Sequence, residues 1–125
     1  MQVAKCVKVL IADDHPKMRD CIQNMIRTLG VETFEASDGW SAVMAYRRHV
    51  PDWVLLDIDM PGLDGVLATQ EILRLAPLAR IVLVTAFDSP ALRKAAAAAG
   101  ALALVPKSEL QRLKEILQPS NPILE

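Results

Sequence analysis

Four short runs of this chain are apolar at almost every position, and more polar segments separate them. The runs are rich in Val, Ile and Leu and comprise Val7–Ala12, Trp53–Leu56, Ile81–Val84 and Leu102–Val105. Strands that are apolar on both faces are typical of a parallel sheet covered by helices on both sides. A fifth run, Glu32–Ala36, is more polar, as an edge strand would be.

The segments between these runs have helical periodicity. Apolar residues from Met18 to Leu29 recur every three or four positions, and Gly30 follows as a stop. Further helices are predicted over Ser41–Arg48, over Gly65–Leu75, over Ala91–Ala99 behind the N-cap Ser89-Pro90, and after a capping box at Ser108–Gln111 with Leu110, Leu113 and Leu117 on one stripe. The β-α alternation, repeated five times, predicts a doubly wound α/β fold with three layers and right-handed crossovers.

Composition indicates a single domain. The chain has 125 residues, of which 52% are apolar and 23% charged. We expect the domain over residues 1–118 and a short tail over 119–125. The net charge of −1 argues against nucleic-acid binding through phosphate neutralisation by this chain alone. No apolar stretch approaches the ~20 residues that span a bilayer, and no signal peptide is recognisable, so we expect a cytoplasmic protein that does not bind membranes.

The cysteines and tryptophans suggest no chemistry. Two cysteines do not form a disulfide framework. Cys6 precedes a strand-like run and Cys21 falls on a helical apolar stripe, so both are interpreted as small buried hydrophobic residues. Trp40 and Trp53 are interpreted as partly buried anchors.

Polar side chains follow four of the predicted strands. Asp13 and Asp14 follow the first strand, Asp57 the third, Thr85 the fourth and Lys107 the fifth. In open α/β sheets, ligands bind outside the carboxyl ends of the strands. We therefore expect these five side chains to converge on one rim of the sheet.

Such a cluster suits a divalent cation and phosphoryl transfer. Carboxylates that lie close together repel one another, and Mg²⁺ relieves the repulsion because it prefers oxygen ligands and uses carboxylates together with phosphate oxygens. An ammonium group and a hydroxyl can both bind a phosphoryl oxygen. A carboxylate can itself attack phosphorus and form an aspartyl phosphate.

Each residue taken singly also has a simpler interpretation. Asp13 and Asp14 could cap the first helix, Asp57 could belong to a turn, Thr85 could be an ordinary loop hydroxyl and Lys107 a surface charge. Their joint placement at strand ends, in this order, favours a common site.

Several segments of the chain resemble the receiver domain of two-component response regulators. They are Val9–Pro16, Val54–Gly65, Val84–Ala86 and Gly100-Ala101 leading to Lys107. The resemblance covers about residues 7–117 and is strongest to receivers of regulators with a LuxR-type helix-turn-helix output. It implies a flavodoxin-like sheet in the order 2-1-3-4-5, in either a stand-alone receiver or a fragment of a longer regulator.

The resemblance also implies a role for each acidic residue. Asp57 resembles the phosphoacceptor, and Mg²⁺ is the implied cofactor. Asp14 resembles its direct ligand, Asp13 a ligand acting largely through water, and Asp57 and the backbone carbonyl of Asp59 complete the protein's share of the metal shell.

The implied partners are those of a signalling protein rather than of an enzyme with turnover. Thr85 resembles the switch hydroxyl and Lys107 the lysine that pairs with the phosphoryl group. The phosphoryl donor would be a phosphohistidine on a sensor histidine kinase or a phosphotransfer protein. The Leu102–Leu117 face, where Leu102 and Leu104 predict a smooth apolar surface, is the expected contact for a homodimer or an effector domain.

The chain departs from the family pattern at several positions. Leu104 stands where the family usually has an aromatic residue that couples to the threonine. Pro106 precedes the lysine, whereas many relatives have proline after it. Neither Asp59 nor Phe87 offers a donor to orient an attacking water, so we expect the phosphoryl group to be lost slowly.

Two other functions stay open on the sequence alone. Leu104 is compatible with a receiver-like interaction module that works without phosphorylation. Asp57-Ile58-Asp59 is an Asp-x-Asp motif after a hydrophobic strand, as in haloacid-dehalogenase-like phosphatases, although the paired acids on the first strand have no place in that reading.

Overall fold

The computed structural model describes residues 6–118 as one parallel five-stranded sheet between two layers of helices. The strands run β1 (Lys8–Ala12), β2 (Glu32–Ala36), β3 (Trp53–Asp57), β4 (Ile81–Thr85) and β5 (Ala103–Pro106). Their order across the sheet is β2-β1-β3-β4-β5. The predicted fold class and strand order are therefore confirmed.

Each strand leads into a helix. The helices are α1 (Pro16–Ile26), α2 (Gly39–His49), α3 (Gly65–Leu75), α4 (Pro90–Ala99) and α5 (Arg112–Leu117), with 3₁₀ turns over Arg27–Leu29 and Lys107–Glu109. Within residues 6–118, no helix has the length and apolar character needed to cross a membrane. The predicted tail, residues 119–125, lies outside the described residues.

Alternation along the strands divides the core between the two faces of the sheet. Val9 and Ile11 pack with the α1 and α5 side chains, whereas Leu10 and Ala12 pack with those of α2, α3 and α4. Both faces of the central strands are thus covered, which explains their continuous apolar runs. The polar strand β2 lies at one edge, as predicted.

The strand register brings the carboxyl ends of four strands to one edge of the sheet. Ala12 pairs with Leu56, Asp57 with Val84, and Thr85 with Pro106. The polar residues at and after these strand ends therefore project from one rim. Pro106 is tolerated because β5 is an edge strand, where a missing N–H need not face a neighbour.

The predicted capping box at Ser108 is wrong. Ser108 lies inside the 3₁₀ turn that follows β5, and α5 begins only at Arg112. The residue before that helix, Gln111, has helical backbone angles and makes no side-chain cap. The predicted apolar stripe is nevertheless correct, because its three leucines are buried against the sheet: Leu110, Leu113 and Leu117.

The prediction that the cysteines are buried is also wrong, since both thiols are exposed. On α1, Ile22 and Ile26 face the sheet and are buried, and Cys21 falls on the solvent side of that stripe. Cys6 precedes β1, where its exposed thiol lies 3.8 Å from the Gly30 carbonyl oxygen.

The two tryptophans differ from each other. Trp40 is 55% exposed because α2 turns Ala42, Val43 and Tyr46 toward the core instead, so its predicted anchoring role is wrong. Trp53 is partly buried, as predicted, and the Arg80 guanidinium lies 4.4 Å from its ring centroid.

The apolar surface predicted around Leu102 and Leu104 is only half present. Leu102 is exposed, but Leu104 points into the core beside Leu83 and Ala96. Within a strand, residues two positions apart point to the same face of the sheet. Leu102 lies before the start of β5, so this rule does not place its side chain on the same face as that of Leu104.

Candidate functional site

A partly buried lysine bridges two buried carboxylates at the rim of the sheet. Lys107 Nζ lies 3.1 Å from Asp13 Oδ2 and 3.2 Å from Asp57 Oδ1. The Asp13 and Asp57 side chains are only 1% and 3% exposed. Three strands meet in this cluster, because Asp13 follows β1, Asp57 ends β3 and Lys107 follows β5.

A second cluster lies at the start of α1. Asp13, Asp14 and His15 bring one donor atom each to within 4.8 Å of the others. His15 Nδ1 lies 3.0 Å from Asp14 Oδ1 and 3.4 Å from Asp13 Oδ1. The local backbone is fixed by the His15 amide, which donates to Asp13 Oδ1 at 2.9 Å, and by Pro16 at the first helical position.

His15 was missed in the sequence-based site. Its position directly after two aspartates at a strand end was the available signal. Neither aspartate caps α1 in the usual way, since the N-cap is His15 and it makes no side-chain cap.

Three carboxylate oxygens of this rim are buried without a directed hydrogen bond from any residue in the range 6–118: Asp13 Oδ2, Asp14 Oδ1 and Asp57 Oδ1. The Lys107 ammonium and the His15 imidazole lie close to them, but none of these contacts is a well-oriented hydrogen bond. Buried acceptors normally have a partner. Hard oxygen donors with spare lone pairs therefore fit a divalent cation at this rim.

The electrostatics of the cluster are those of crowded carboxylates around one ammonium group. Burial raises the pKa of Asp57, and the nearby charges of Asp13 and Asp59 raise it further, against the lowering effect of Lys107. Burial alone would lower the pKa of Lys107, but its contacts with Asp13 and Asp57 outweigh burial and raise it. One cation thus serves two buried anions, and a second positive charge would be stabilising.

The loop after β3 fits tightly around Asp57. A Cβ atom at Gly65 would lie 2.4 Å from the Asp57 carbonyl oxygen, so only glycine lets α3 begin this close to the strand end. The Asp64 side chain caps α3 by accepting from the Leu67 amide at 2.9 Å. The Asp59 side chain is exposed on this loop and acts on Asp57 only through its charge.

Thr85 is buried at the end of β4 and its hydroxyl is already engaged. It donates to the Phe87 carbonyl at 3.1 Å and accepts from the Phe87 amide at 3.0 Å. The Phe87 ring itself is 78% exposed. The threonine is therefore at the rim, as predicted, but it is bound to its own loop rather than to a carboxylate.

The sequence-predicted site residues therefore fall into three groups. Asp13, Asp57 and Lys107 form one contact cluster, and Asp14 adjoins it through Asp13. Thr85 lies on the same rim, bonded to its own loop. The Asp59 side chain points to solvent.

Comparison with known sequences identifies relatives over most of the chain. Residues 9–118 match the response regulator receiver domain. The chain is 38% identical over 95 residues to the chemotaxis protein CheY of Bacillus subtilis, covering 75% of this chain and 79% of that protein. It is 42% identical over 103 residues to the transcriptional regulatory protein PdtaR of Mycobacterium tuberculosis, covering 80% of this chain but only 49% of that protein.

Solved structures show the same fold. A LuxR-family two-component response regulator from Aurantimonas sp. superposes with a TM-score of 0.83 at 32% identity, over 89% of this chain and 81% of the other. CheY of Borrelia burgdorferi, in a complex with CheX, BeF₃ and Mg²⁺, superposes with a TM-score of 0.81 at 29% identity, over 88% of each chain.

Proposed function

Because this chain belongs to the response regulator receiver domain family, we propose that Asp57 accepts a phosphoryl group in a Mg²⁺-dependent reaction. The observation that carries the proposal is the Lys107 bridge between the buried carboxylates of Asp57 and Asp13. It places a fixed ammonium beside the nucleophile, where negative charge develops as a phosphoryl group arrives. Positioning and charge neutralisation supply most of the catalysis of such a transfer.

The donor in this proposal is a phosphohistidine on a sensor histidine kinase or a phosphotransfer protein. An Asp57 carboxylate oxygen forms a new bond to phosphorus while the P–N bond to the donor imidazole breaks, and the electron pair of that bond returns to the ring. The chain thereby promotes only its own phosphorylation and dephosphorylation. The partner kinase forms its phosphohistidine from ATP, so the reaction belongs in the cytoplasm.

Asp13, Asp14 and Asp57, with the backbone carbonyl of Asp59, are the proposed holders of Mg²⁺. The buried, unbonded oxygens of three of these residues support this assignment. The bound cation supplies positive charge that offsets the crowding of the carboxylates and the incoming phosphoryl oxygens. The Mg²⁺ named in the complex of the similar Borrelia protein supports the choice of metal.

Thr85 and Lys107 are the proposed phosphoryl-binding residues. Lys107 is already within reach of Asp57. The Thr85 hydroxyl must release the Phe87 carbonyl before it donates to a phosphoryl oxygen, so phosphorylation is coupled to the loop after β4. Leu104 is already buried and has no ring to move, so this chain lacks the usual aromatic readout.

The output partner is proposed to bind the Leu102–Leu117 face, as a second copy or an effector domain. The chain spans about half of PdtaR but 79% of CheY, so its relatives include both longer regulators and proteins of nearly its own size. Leu102 is the exposed apolar residue of this face.

The proposal is tested by intact-mass measurement after incubation with acetyl phosphate, with and without Mg²⁺. We expect one added phosphoryl group that requires Mg²⁺ and is absent in Asp57→Asn. Asp38→Asn is the matched control, because Asp38 is a partly exposed helix cap on α2, where asparagine also caps well, and the change should leave labelling unchanged. An unlabelled wild type, under conditions that label a known receiver, would support the phosphorylation-independent module. Continuous release of phosphate from a phosphomonoester would support the phosphatase reading.

A further inference from the structure

The imidazole of His15 lies beside the carboxylates of Asp13 and Asp14. His15 Nδ1 lies 3.0 Å from Asp14 Oδ1 and 3.4 Å from Asp13 Oδ1. The side chain is 70% exposed, so nothing in the core forces it toward these carboxylates. The backbone holds it there, through the hydrogen bond from the His15 amide to Asp13 Oδ1 and the fixed proline that follows.

The short contact between His15 and Asp14 is not a directed hydrogen bond. Asp14 Oδ1 is a buried atom that accepts no hydrogen bond from any residue described, although Nδ1 is 3.0 Å away. Nδ1 and Oδ1 are therefore in close contact without a well-oriented hydrogen bond between them. The Asp13 side chain belongs to the same group and is 1% exposed. Its Oδ1 lies 3.4 Å from Nδ1, whereas its Oδ2 lies 3.1 Å from Lys107 Nζ.

These separations match those between neighbouring ligands of one metal ion. With metal–ligand bonds of 2.0–2.1 Å, adjacent positions of an octahedron lie about 3 Å apart. The observed 3.0 and 3.4 Å need little adjustment to reach that value. The donor set would then be one imidazole nitrogen and two carboxylate oxygens.

We propose that His15 Nδ1 is a direct ligand of the divalent cation, together with Asp14 and Asp13, and that this nitrogen makes the site prefer transition-metal ions such as Mn²⁺ and Co²⁺ over Mg²⁺. The inference rests on the proposed function, since it concerns the same acidic pocket. Mg²⁺ favours oxygen ligands and retains its waters, so it gains little from an imidazole. Later first-row ions bind imidazole increasingly well, in the order from Mn²⁺ through Co²⁺ to Ni²⁺.

Pulsed electron paramagnetic resonance of Mn²⁺ bound to the full chain tests the nitrogen ligand directly. At pH 8 we expect ¹⁴N coupling from one imidazole in the wild type and none in His15→Asn. The matched control is His49→Asn, because the chain has only two histidines and His49 stacks on Phe34 at the far end of α2. That variant should retain the nitrogen signal.

Titration calorimetry with Co²⁺ and with Mg²⁺ tests the preference. His15→Asn should weaken Co²⁺ binding on the order of ten-fold and change Mg²⁺ binding much less. Because His15 is exposed and asparagine is a good N-cap, the variant should keep its fold, which circular dichroism confirms before the titration.

The outcomes separate this inference from the proposed function. Cation binding that is lost in Asp14→Asn but shows no nitrogen coupling, and no change in His15→Asn, would overturn the role of His15 and leave the acidic pocket intact. Failure of the wild type to bind any of the three cations would overturn both.

Discussion

Removal of the Lys107 charge should lower the free energy of unfolding, because two buried carboxylates lose the positive charge beside them. In Lys107→Met an uncharged side chain of similar length replaces the lysine. Asp13 and Asp57, at 1% and 3% exposure, then stay buried without the ammonium group that both of them contact. Each ion pair near 3 Å is worth about 5 kcal/mol at an effective dielectric constant of 20, before desolvation is subtracted. Loss of one partner from a buried ion pair costs a net 3–5 kcal/mol, roughly.

That loss is large enough to measure by thermal unfolding. A domain of this size shifts its melting temperature by about 4 °C per kcal/mol, so we expect a decrease of about 12–20 °C in a buffer without divalent cations. Mg²⁺ should restore part of the difference, because it offsets the same negative charges. At ten times its dissociation constant, a bound cation stabilises the fold by about 1.4 kcal/mol.

Two further variants make the reasoning refutable. Lys94→Met removes an exposed lysine of α4 that has no ion pair within residues 6–118, and its melting temperature should stay close to that of the wild type. Adding Asp57→Asn to Lys107→Met should restore part of the lost melting temperature, since it removes one of the two buried carboxylates that lack a counter-ion. If Lys107→Met has the same melting temperature as the wild type in the absence of divalent cations, this lysine does not stabilise the buried carboxylates and the electrostatic account is wrong.

Four further predictions follow from the same structure. Because the pKa of Asp57 is raised in the folded state, the contribution of Asp57 to stability falls as the pH rises above its ordinary pKa of 3.8. The advantage of Asp57→Asn in chemical denaturation should therefore be absent below that pH, grow up to the raised folded pKa and then level off; an advantage that shrinks with pH would contradict this. Gly65→Ala should cost about 1–3 kcal/mol in the same denaturation assay and slow labelling by acetyl phosphate, because its Cβ would meet the Asp57 carbonyl at 2.4 Å. The phosphoryl group should be lost slowly, and Phe87→Asn, which adds a hydrogen-bond donor at the rim, should shorten its lifetime as followed by intact mass; an unchanged or longer lifetime would refute this. Cys6 and Cys21 should both react with a thiol reagent in the native protein, whereas reaction only after denaturation would contradict their exposure.

The sheet and the carboxylate cluster could be predicted because simple rules determine both. Central strands buried on two faces have continuous apolar runs, such as Ile81–Val84, and these are hard to mistake for anything else in an alternating pattern. Parallel strands also carry their carboxyl ends to one edge, so residues far apart in sequence, such as Asp13, Asp57 and Lys107, meet without any knowledge of side-chain packing.

The failures share a different physical origin, the rotation of a helix about its axis and the direction of single side chains. Cys21 and Ile22 both fit the apolar periodicity of α1, but only the rotation of the packed helix decides which of them meets the sheet. The prediction for Trp40 was wrong for the same reason, because the rotation of α2 leaves this side chain exposed. His15 needed the backbone path at the start of α1, which places its imidazole beside Asp14, and no spacing rule contains that information.

The most direct test of the central claim is to locate the phosphoryl group on the chain. After labelling with acetyl phosphate and Mg²⁺, borohydride reduces an aspartyl phosphate to homoserine, and tandem mass spectrometry of the digested protein identifies the modified position. The account predicts homoserine at position 57 alone, and only when Mg²⁺ was present. Homoserine at position 13, 14 or 59, or at position 57 without any need for a divalent cation, would contradict it.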